Sequence, residues 1–357
     1  DVVLSNCLVD MYAKCGDLEG AHSLFDKLVD RNVVTWGAMI TGYAQNGKGE
    51  LALELYDQME KEGVKPNQII LPCVLKACAN IKNIEQGRWI HQKMLEGGKI
   101  IYDVVVGSTL VDMYAKCGSL EEAHQVFEDL PVRNVVSWGA IIGGCIEQGH
   151  GLLGMELFIK MQDEGIKPDK IIFVCMLKAC GSMGIIKQGM LVHSQIIEAI
   201  DMDIVIQGAL VDMYAKCGSR EDARDSFVKS PNENVILWGA IIAGHAQYGD
   251  WRLTHQCLED MAKERIDVNS TIYTSILSAC RHAGEVEEAY KSLKSMSVNH
   301  SICPELEHFI CMIDLLGSTG QLKEASHLLQ SVPTMLTTIT GWTSLLTACR
   351  TYGNVNL

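Results

Sequence analysis

Fourteen cysteines and eleven histidines in 357 residues are the first places to look for chemistry. Zinc capture and disulfide frameworks need particular spacings, above all paired Cys-x-x-Cys. No two cysteines stand at that spacing, and no His-x-Glu is present to furnish a deaminase zinc site, where the glutamate moves the proton. Cys15, Cys117 and Cys217 occupy one recurring position, and Cys78, Cys180, Cys280 and Cys349 another. Recurrence of this kind assigns them to helix contacts as small, polarizable packing residues in a reducing setting. His91 and His193 recur without any cluster of ligand spacing around them and are read as packing residues too. No nucleophile–base set or phosphate loop stands out, so the expectation is no metal, no cofactor and no catalysis.

The remaining polar groups with regular spacing suit recognition. Asn32, Asn67, Asn134, Asp169, Asn234 and Asn269 recur, as do Lys14, Lys116 and Lys216. They belong to repeated phrases. Val-Asp-Met-Tyr-Ala-Lys-Cys-Gly begins at Val9, Val111 and Val211, Trp-Gly-Ala stands at Trp36, Trp138 and Trp238, and Leu-Lys/Ser-Ala-Cys ends at Cys78, Cys180 and Cys280. A period of about 100 residues exceeds any single helical-hairpin repeat, so each unit must be composite.

Each unit divides into three hairpins. Residues 2–32, 104–134 and 204–234 form a short type, 33–67, 135–169 and 235–269 an ordinary type, and 68–103 and 170–203 a long type. The remainder follows with drift as 270–305, 306–337 and an opening fragment at 338–357. Within 104–134, Val105, Leu110, Val111 and Tyr114 supply the apolar face of a first helix. Gly118 suits the left-handed turn that ends it, and Ser119-Leu120-Glu121-Glu122 reads as a capping box. The second helix buries Ala123, Val126, Phe127 and Leu130 before Pro131. In the ordinary type, Val64-Lys65-Pro66 and Ile166-Lys167-Pro168 are the predicted stops. The expected fold is an all-α solenoid.

Composition limits the partners. With 48% hydrophobic residues the chain has ample apolar material, and a solenoid needs only neighbour-to-neighbour cores. No apolar run reaches the roughly 18 residues of a membrane span, so no membrane partner is expected. The chain starts within a repeat and shows no signal or Arg-rich transit segment, as an excised piece would. Its net charge of −14 argues against nucleic acid, although a locally basic groove can coexist with an acidic exterior.

A tetratricopeptide array, which binds peptides, reads similarly at low resolution. The phrases themselves resemble the pentatricopeptide-repeat proteins, specifically the plant class that alternates short, ordinary and long motifs. Met-Tyr-Ala-Lys-Cys-Gly resembles the short motif, Val33-Val34-Thr35-Trp36-Gly37-Ala38-Met39-Ile40 with Gly63-Val64-Lys65-Pro66-Asn67 the ordinary one, and Leu-Lys-Ala-Cys with Glu85-Gln86-Gly87-Arg88-Trp89-Ile90-His91 the long one. Cys303-Pro304 and Glu307 to Gly317 look like the closing long/short pair of that class, placing it at 270–337 after tandem repeats at 1–269. Gly341 to Arg350 looks like the start of its extension motif, and in this family the extension usually leads to a cytidine-deaminase-like domain. The expectation is that this domain is absent here and that the chain does not edit by itself.

The resemblance implies a right-handed superhelical solenoid that recognises single-stranded RNA, not DNA, at about one base per motif. It also implies residence in a chloroplast or mitochondrion. In this family the fifth residue of a motif's first helix and the motif's last residue select the base, while the second residue packs against it. The implied selecting pairs are Asn6/Asn32, Ser108/Asn134 and Gly208/Asn234 in short motifs, and Gly37/Asn67, Gly139/Asp169 and Gly239/Asn269 in ordinary ones. The implied packing residues are Val3, Val34, Val105, Val136, Val205 and Ile236. By family analogy Ser108/Asn134 favours adenine and Asn6/Asn32 a pyrimidine, whereas glycine leaves four of the six pairs half blank. Ser108 is expected on an exposed surface. The long motifs place Pro72 and Val174 at the fifth position, which points to spacing or to contacts with accessory editing factors. Lys14, Lys116 and Lys216 are expected to meet phosphates, and a cation there also complements a helix C-terminus. Two alternatives stay open on the residues alone. The closing Asn/Asp residues are good helix N-caps, and the three tryptophans suit a core better than a base stack. The rival reading of the whole chain is a helical scaffold that binds proteins.

Overall fold

The computed structural model describes residues 2–28, 30–96, 103–228 and 234–331, together with 343 and 346. Almost all of the fragment at 338–357 therefore lies outside the described residues. The chain divides into two compact units, residues 1–175 and 176–357.

Among the described residues the ordered elements are helices, paired as antiparallel hairpins. In the first unit these are α1 (Val2–Lys14) with α2 (Leu18–Asp26), α3 (Val33–Gln45) with α4 (Gly49–Lys61), α5 (Ile70–Ile81) with α6 (Ile84–Glu96), α7 (Val104–Lys116) with α8 (Leu120–Asp129), and α9 (Val135–Glu147) with α10 (Gly151–Asp163). Helix α11 (Lys170–Met183) contains the division between units. The second unit continues with α12 (Ile186–Ala199), then α13 (Ile204–Lys216) with α14 (Arg220–Val228), α15 (Val235–Gln247) with α16 (Trp251–Lys263), α17 (Ser270–Ala283) with α18 (Val286–Asn299), and α19 (Leu306–Ser318) with α20 (Leu322–Ser331). Within each unit a first helix packs on its own partner and on neighbouring first helices, while second helices meet one another through side chains, as Arg88 of α6 does with Glu122 of α8. Within each unit the first helices thus form a layer flanked by second helices. This is an all-α solenoid of helical hairpins.

Local chemistry explains the hairpins. Gly118 takes φ +84° after α7, as its lack of a Cβ permits. Ala123, Val126, Phe127 and Leu130 of the second helix are buried. Leu130 is extended, at ψ 125°, because Pro131 bars the helical region to its predecessor. Three sequence expectations need correction. Ser119 precedes α8, but its side chain bonds the Glu122 carboxylate and not the backbone, because Arg88 grips that carboxylate through two 2.8 Å bonds. Helix α4 ends at Lys61 and Gly63 then turns at φ +75°, so glycine and not Pro66 stops it; Gly165 does the same before Pro168. Val105, placed on the core face, is 63% exposed, while Leu110, Val111 and Tyr114 are buried.

The repeated phrases mark where first helices cross. A Cβ built on Gly144 of α9 would lie 2.3 Å from Ala115 Cβ of α7. The same contact joins Gly42 to Ala13 at 2.5 Å and Gly244 to Ala215 at 2.3 Å. The alanine of Met-Tyr-Ala-Lys recurs because its methyl group packs directly on a glycine of the next first helix.

Candidate nucleic-acid interface

The six closing residues all cap the helix that follows. Asn32 Oδ1 accepts from Val34 N and Thr35 N, both at 3.0 Å, and Asn67 Oδ1 accepts from Ile69 N and Ile70 N, also at 3.0 Å. Asn134 accepts from Ser137 N at 2.9 Å, Asp169 from Ile172 N at 2.9 Å, Asn234 from Ile236 N at 3.0 Å and Asn269 from Ile272 N at 3.0 Å. The capping alternative left open by the sequence is therefore realised. It also has a chemical consequence. A backbone N–H can only donate, so each capping amide must turn its oxygen inward and keep Nδ2 as a pure donor. Asp169 instead keeps a second carboxylate oxygen, a pure acceptor. Five of these positions present donors and one an acceptor.

The fifth residues are less accessible than the sequence suggests. Ser108 is 3% exposed and gives its proton to Val104 O at 2.6 Å, so the expectation of an exposed Ser108 is corrected. Helix α9 packs on α7, and a larger side chain at this buried position would overpack it by about 1–3 kcal/mol. Asn6 is 9% exposed, its Oδ1 accepting from Thr35 Oγ1 at 2.7 Å. The glycines lie near the same neighbouring helix starts. A Cβ on Gly37 would meet Ile70 Cγ1 at 3.4 Å, one on Gly139 Ile172 Cγ1 at 3.5 Å, and one on Gly208 Ile236 Cγ2 at 3.2 Å; Gly239 meets nothing within 4 Å. Since Thr35, Ile70, Ile172 and Ile236 bond to Asn32, Asn67, Asp169 and Asn234 through their backbone amides, one intervening residue joins the fifth and last positions in four motifs.

The second residues are the exposed ones. In the first unit Val3 is 68% exposed, Val34 56%, Val105 63% and Val136 60%; in the second, Val205 is 43% and Ile236 51%. Branched aliphatics thus recur, open to water, at the second position of α1, α3, α7, α9, α13 and α15. Sequence reasoning missed two members. Ile69 at 69% and Ile171 at 67% hold the same position in the long motifs. The signal is legible in the sequence as an aliphatic second residue in each long motif, three residues before Pro72 and Val174.

Lys14, Lys116 and Lys216 are not free cations. Each ammonium bonds the carboxylate four residues earlier: Lys14 to Asp10 at 2.7 Å, Lys116 to Asp112 at 2.9 Å and Lys216 to Asp212 at 2.7 Å. The Asp and Lys of the repeated phrase stand at helical neighbour spacing, which the sequence reading overlooked. A phosphate would have to share these lysines with carboxylates that already hold them. If it does, replacing all three lysines with alanine should weaken binding to every single-stranded sequence alike and flatten the slope of log K against log salt by about 2, at roughly 0.7 per contact. Replacing Asp10, Asp112 and Asp212 with asparagine should strengthen binding. An unchanged slope in the first variant would leave these lysines as helix-end charges alone.

Other singled-out residues are structural. Trp36, Trp138 and Trp238 are buried and meet Phe25, Phe127 and Phe227 edge-on at 4.8, 4.7 and 4.8 Å. His91 and His193 hydrogen-bond Tyr114 and Tyr214, each at 2.9 Å, and burial lowers the His91 pKa. Burial pushes the thiols of Cys78, Cys180 and Cys280 up to about 12, the opposite of nucleophile activation. Among the described residues no group of three or more His, Cys, Asp or Glu side chains is placed to hold a metal ion.

Fold and site together define a helical-hairpin solenoid whose first-helix starts carry exposed aliphatics beside capping amides. The sequence profile of the PPR repeat family matches residues 31–80 and 133–182, and the PPR repeat profile matches 3–33, 108–135 and 271–300. The chain belongs to the pentatricopeptide repeat family. It is 36% identical to one Arabidopsis thaliana pentatricopeptide repeat-containing protein, covering 100% of this chain and 49% of the relative. A chloroplastic relative from the same plant is 36% identical over 99% of this chain and 44% of its own length, and a mitochondrial one 33% identical over 100% and 64%. The chain thus spans between 44% and 64% of these relatives. Among solved structures, the crystal structure of the pentatricopeptide repeat protein PPR10 in complex with an 18-nt psaJ RNA element superposes with a TM-score of 0.73, at 17% identity, covering 98% of this chain and 53% of that one. Its likeness is one of fold.

Proposed function

We propose that this chain is a sequence-selective, single-stranded RNA-binding module of the class alternating short, ordinary and long motifs, and that it serves an organellar C-to-U editing factor. The observation that carries this reading is the row of exposed aliphatic second residues, which from Val34 onward each follow a capping residue at the same helix start, an amide at Asn32, Asn67, Asn134 and Asn234 and a carboxylate at Asp103, Asp169 and Asp203. A nucleobase needs such a combination, an apolar surface for its face and oriented polar atoms for its edge. The shared fold with RNA-bound PPR10, and the chloroplastic and mitochondrial relatives, support the partner and the compartment. In this reading residues 1–269 hold the tandem motifs, 270–337 the closing pair and 338–357 the start of the extension. The chain selects the site and leaves the chemistry to a deaminase domain supplied elsewhere.

The test is a titration of the 357-residue chain against a random single-stranded RNA pool, with duplex RNA and single-stranded DNA as controls. Tight binding to the first alone is expected, followed by enrichment of a motif on selection. Equal affinity for duplex, or none for single strands, would remove the RNA reading. Conversion of cytidine to uridine by the purified chain, with or without zinc, would remove the separation of selection from chemistry. A scaffold for accessory editing factors is the second reading. It is favoured by apolar residues exposed on second helices of the long motifs, Leu95 on α6 at 57% and Leu191 and Ile197 on α12 at 57% and 63%.

A further inference from the structure

In three motifs of the first unit the third residue of the next motif's first helix lies beside the fifth residue. Thr35 touches Asn6, and Ile70 and Ile172 stand where side chains on Gly37 and Gly139 would meet them. These third residues are buried, Thr35 at 0%, Ile70 at 0% and Ile172 at 1%. Along the chain the two positions change together. The polar fifth residues Asn6 and Ser108 are followed by the hydroxyls Thr35 and Ser137, whereas Gly37, Gly139, Gly208 and Gly239 are followed by Ile70, Ile172, Leu237 and Ile272. Six junctions follow one rule: hydroxyl where a selecting side chain exists, hydrocarbon where it does not.

We propose that Thr35 is a positioning residue for base selection in the first motif, its buried hydroxyl fixing which way the Asn6 amide points relative to Asn32. The inference rests on the RNA-binding reading above. Thr35 Oγ1 lies 2.7 Å from Asn6 Oδ1 and 3.1 Å from Asn32 Oδ1. Asn32 cannot turn, because its oxygen already accepts two backbone N–H groups. The hydroxyl has one proton, and the shorter distance, typical of O–H···O, assigns it to Asn6. Both amide oxygens therefore face inward, and neither Nδ2 has a partner among the described residues. The pair presents two donors to a base edge that must supply acceptors. Without the hydroxyl, the Asn6 amide turns over at little cost and offers donor or acceptor indifferently. The coupling is made at this junction and not at the next. There Ser137 is occupied by the backbone of Asn134, at 3.0 and 2.9 Å, and Ser108 bonds Val104 O.

Selection from randomised single-stranded RNA reads this directly, with Asn6→Ala locating the nucleotide concerned. Thr35→Val keeps the shape and removes the proton. Preference at that one nucleotide should fall by roughly three- to tenfold, the worth of one oriented hydrogen bond, while the rest of the selected sequence is kept. Thr35→Ser should restore it. An unchanged preference in Thr35→Val, or failure of Thr35→Ser to restore it in a folded chain, would overturn the assignment. Should Thr35→Val unfold the first hairpin, transplantation decides. Gly37→Asn with Ile70→Thr should create a preference at the neighbouring nucleotide that Gly37→Asn alone does not; equal preference in both would overturn it. A wild-type chain that binds no single-stranded RNA would instead bring down the RNA reading itself.

Discussion

Replacing Gly144 with alanine is expected to push α9 away from α7 and to destabilise the first unit by about 2 kcal/mol. The alanine Cβ would stand 2.3 Å from Ala115 Cβ, where carbon atoms in contact prefer about 3.5–4.0 Å. Both atoms are bonded to helix backbone, so no flexible side chain can move aside. Overpacking of this kind costs up to about 3 kcal/mol, against which alanine returns about 1 kcal/mol of helix propensity. Gly144→Val lacks that return and should cost more. Gly239, on α15, is the internal control, because a Cβ there meets nothing within 4 Å. Gly239→Ala should stabilise its helix by roughly 0.5–1 kcal/mol. Amide hydrogen exchange is the measurement, since it reports α7 and α9 separately in a chain whose hairpins need not unfold together. Faster exchange in both helices of Gly144→Ala is expected, and protection equal to the wild type would show that the backbones are not in contact.

Changing Val34, Val105 and Val136 together to aspartate should reduce affinity for every single-stranded RNA by about a hundredfold. Each of these side chains is more than half exposed, Val34 at 56%, Val105 at 63% and Val136 at 60%, so folding loses little by their removal, within about 0.5 kcal/mol each. A base resting on an aliphatic side chain should gain about 1 kcal/mol, the low end of what stacking on aromatic platforms supplies. Three such contacts amount to about two decades in Kd. Aspartate adds repulsion from phosphates, so threonine, nearly the same shape as valine, should give a smaller loss in the same direction. Wild-type affinity in a folded triple variant would show that the stripe is not where RNA lies.

Much of this protein was legible in its sequence because the determining interactions are local. A glycine after the short-motif first helix, at Gly118, and an asparagine before the next, at Asn134, act on backbone groups within a few residues of themselves. Capping and αL turns therefore carry their geometry in the order of residues. The same holds for the hydrophobic spacing that buries Ala123, Val126 and Phe127. Where two local rules competed, the order of residues did not decide between them. Pro66 and Gly63 both end a helix, and the glycine, which comes first, did so.

Only the tertiary structure decided what each side chain faces. Ser108 and Val105 sit three residues apart on one helix, yet one is 3% exposed and the other 63%, because the neighbouring first helix covers one side of α7 and not the other. The layer of first helices likewise turned Asn6 toward Thr35, twenty-nine residues away, and brought Ala115 against Gly144. It also left Ile69 and Ile171 open to water in motifs whose fifth residues, Pro72 and Val174, carry no polar side chain. Helical periodicity tells which residues share a face. Which face meets a neighbour depends on how closely two backbones approach, and in this chain that distance is set by contacts between one hairpin and the next.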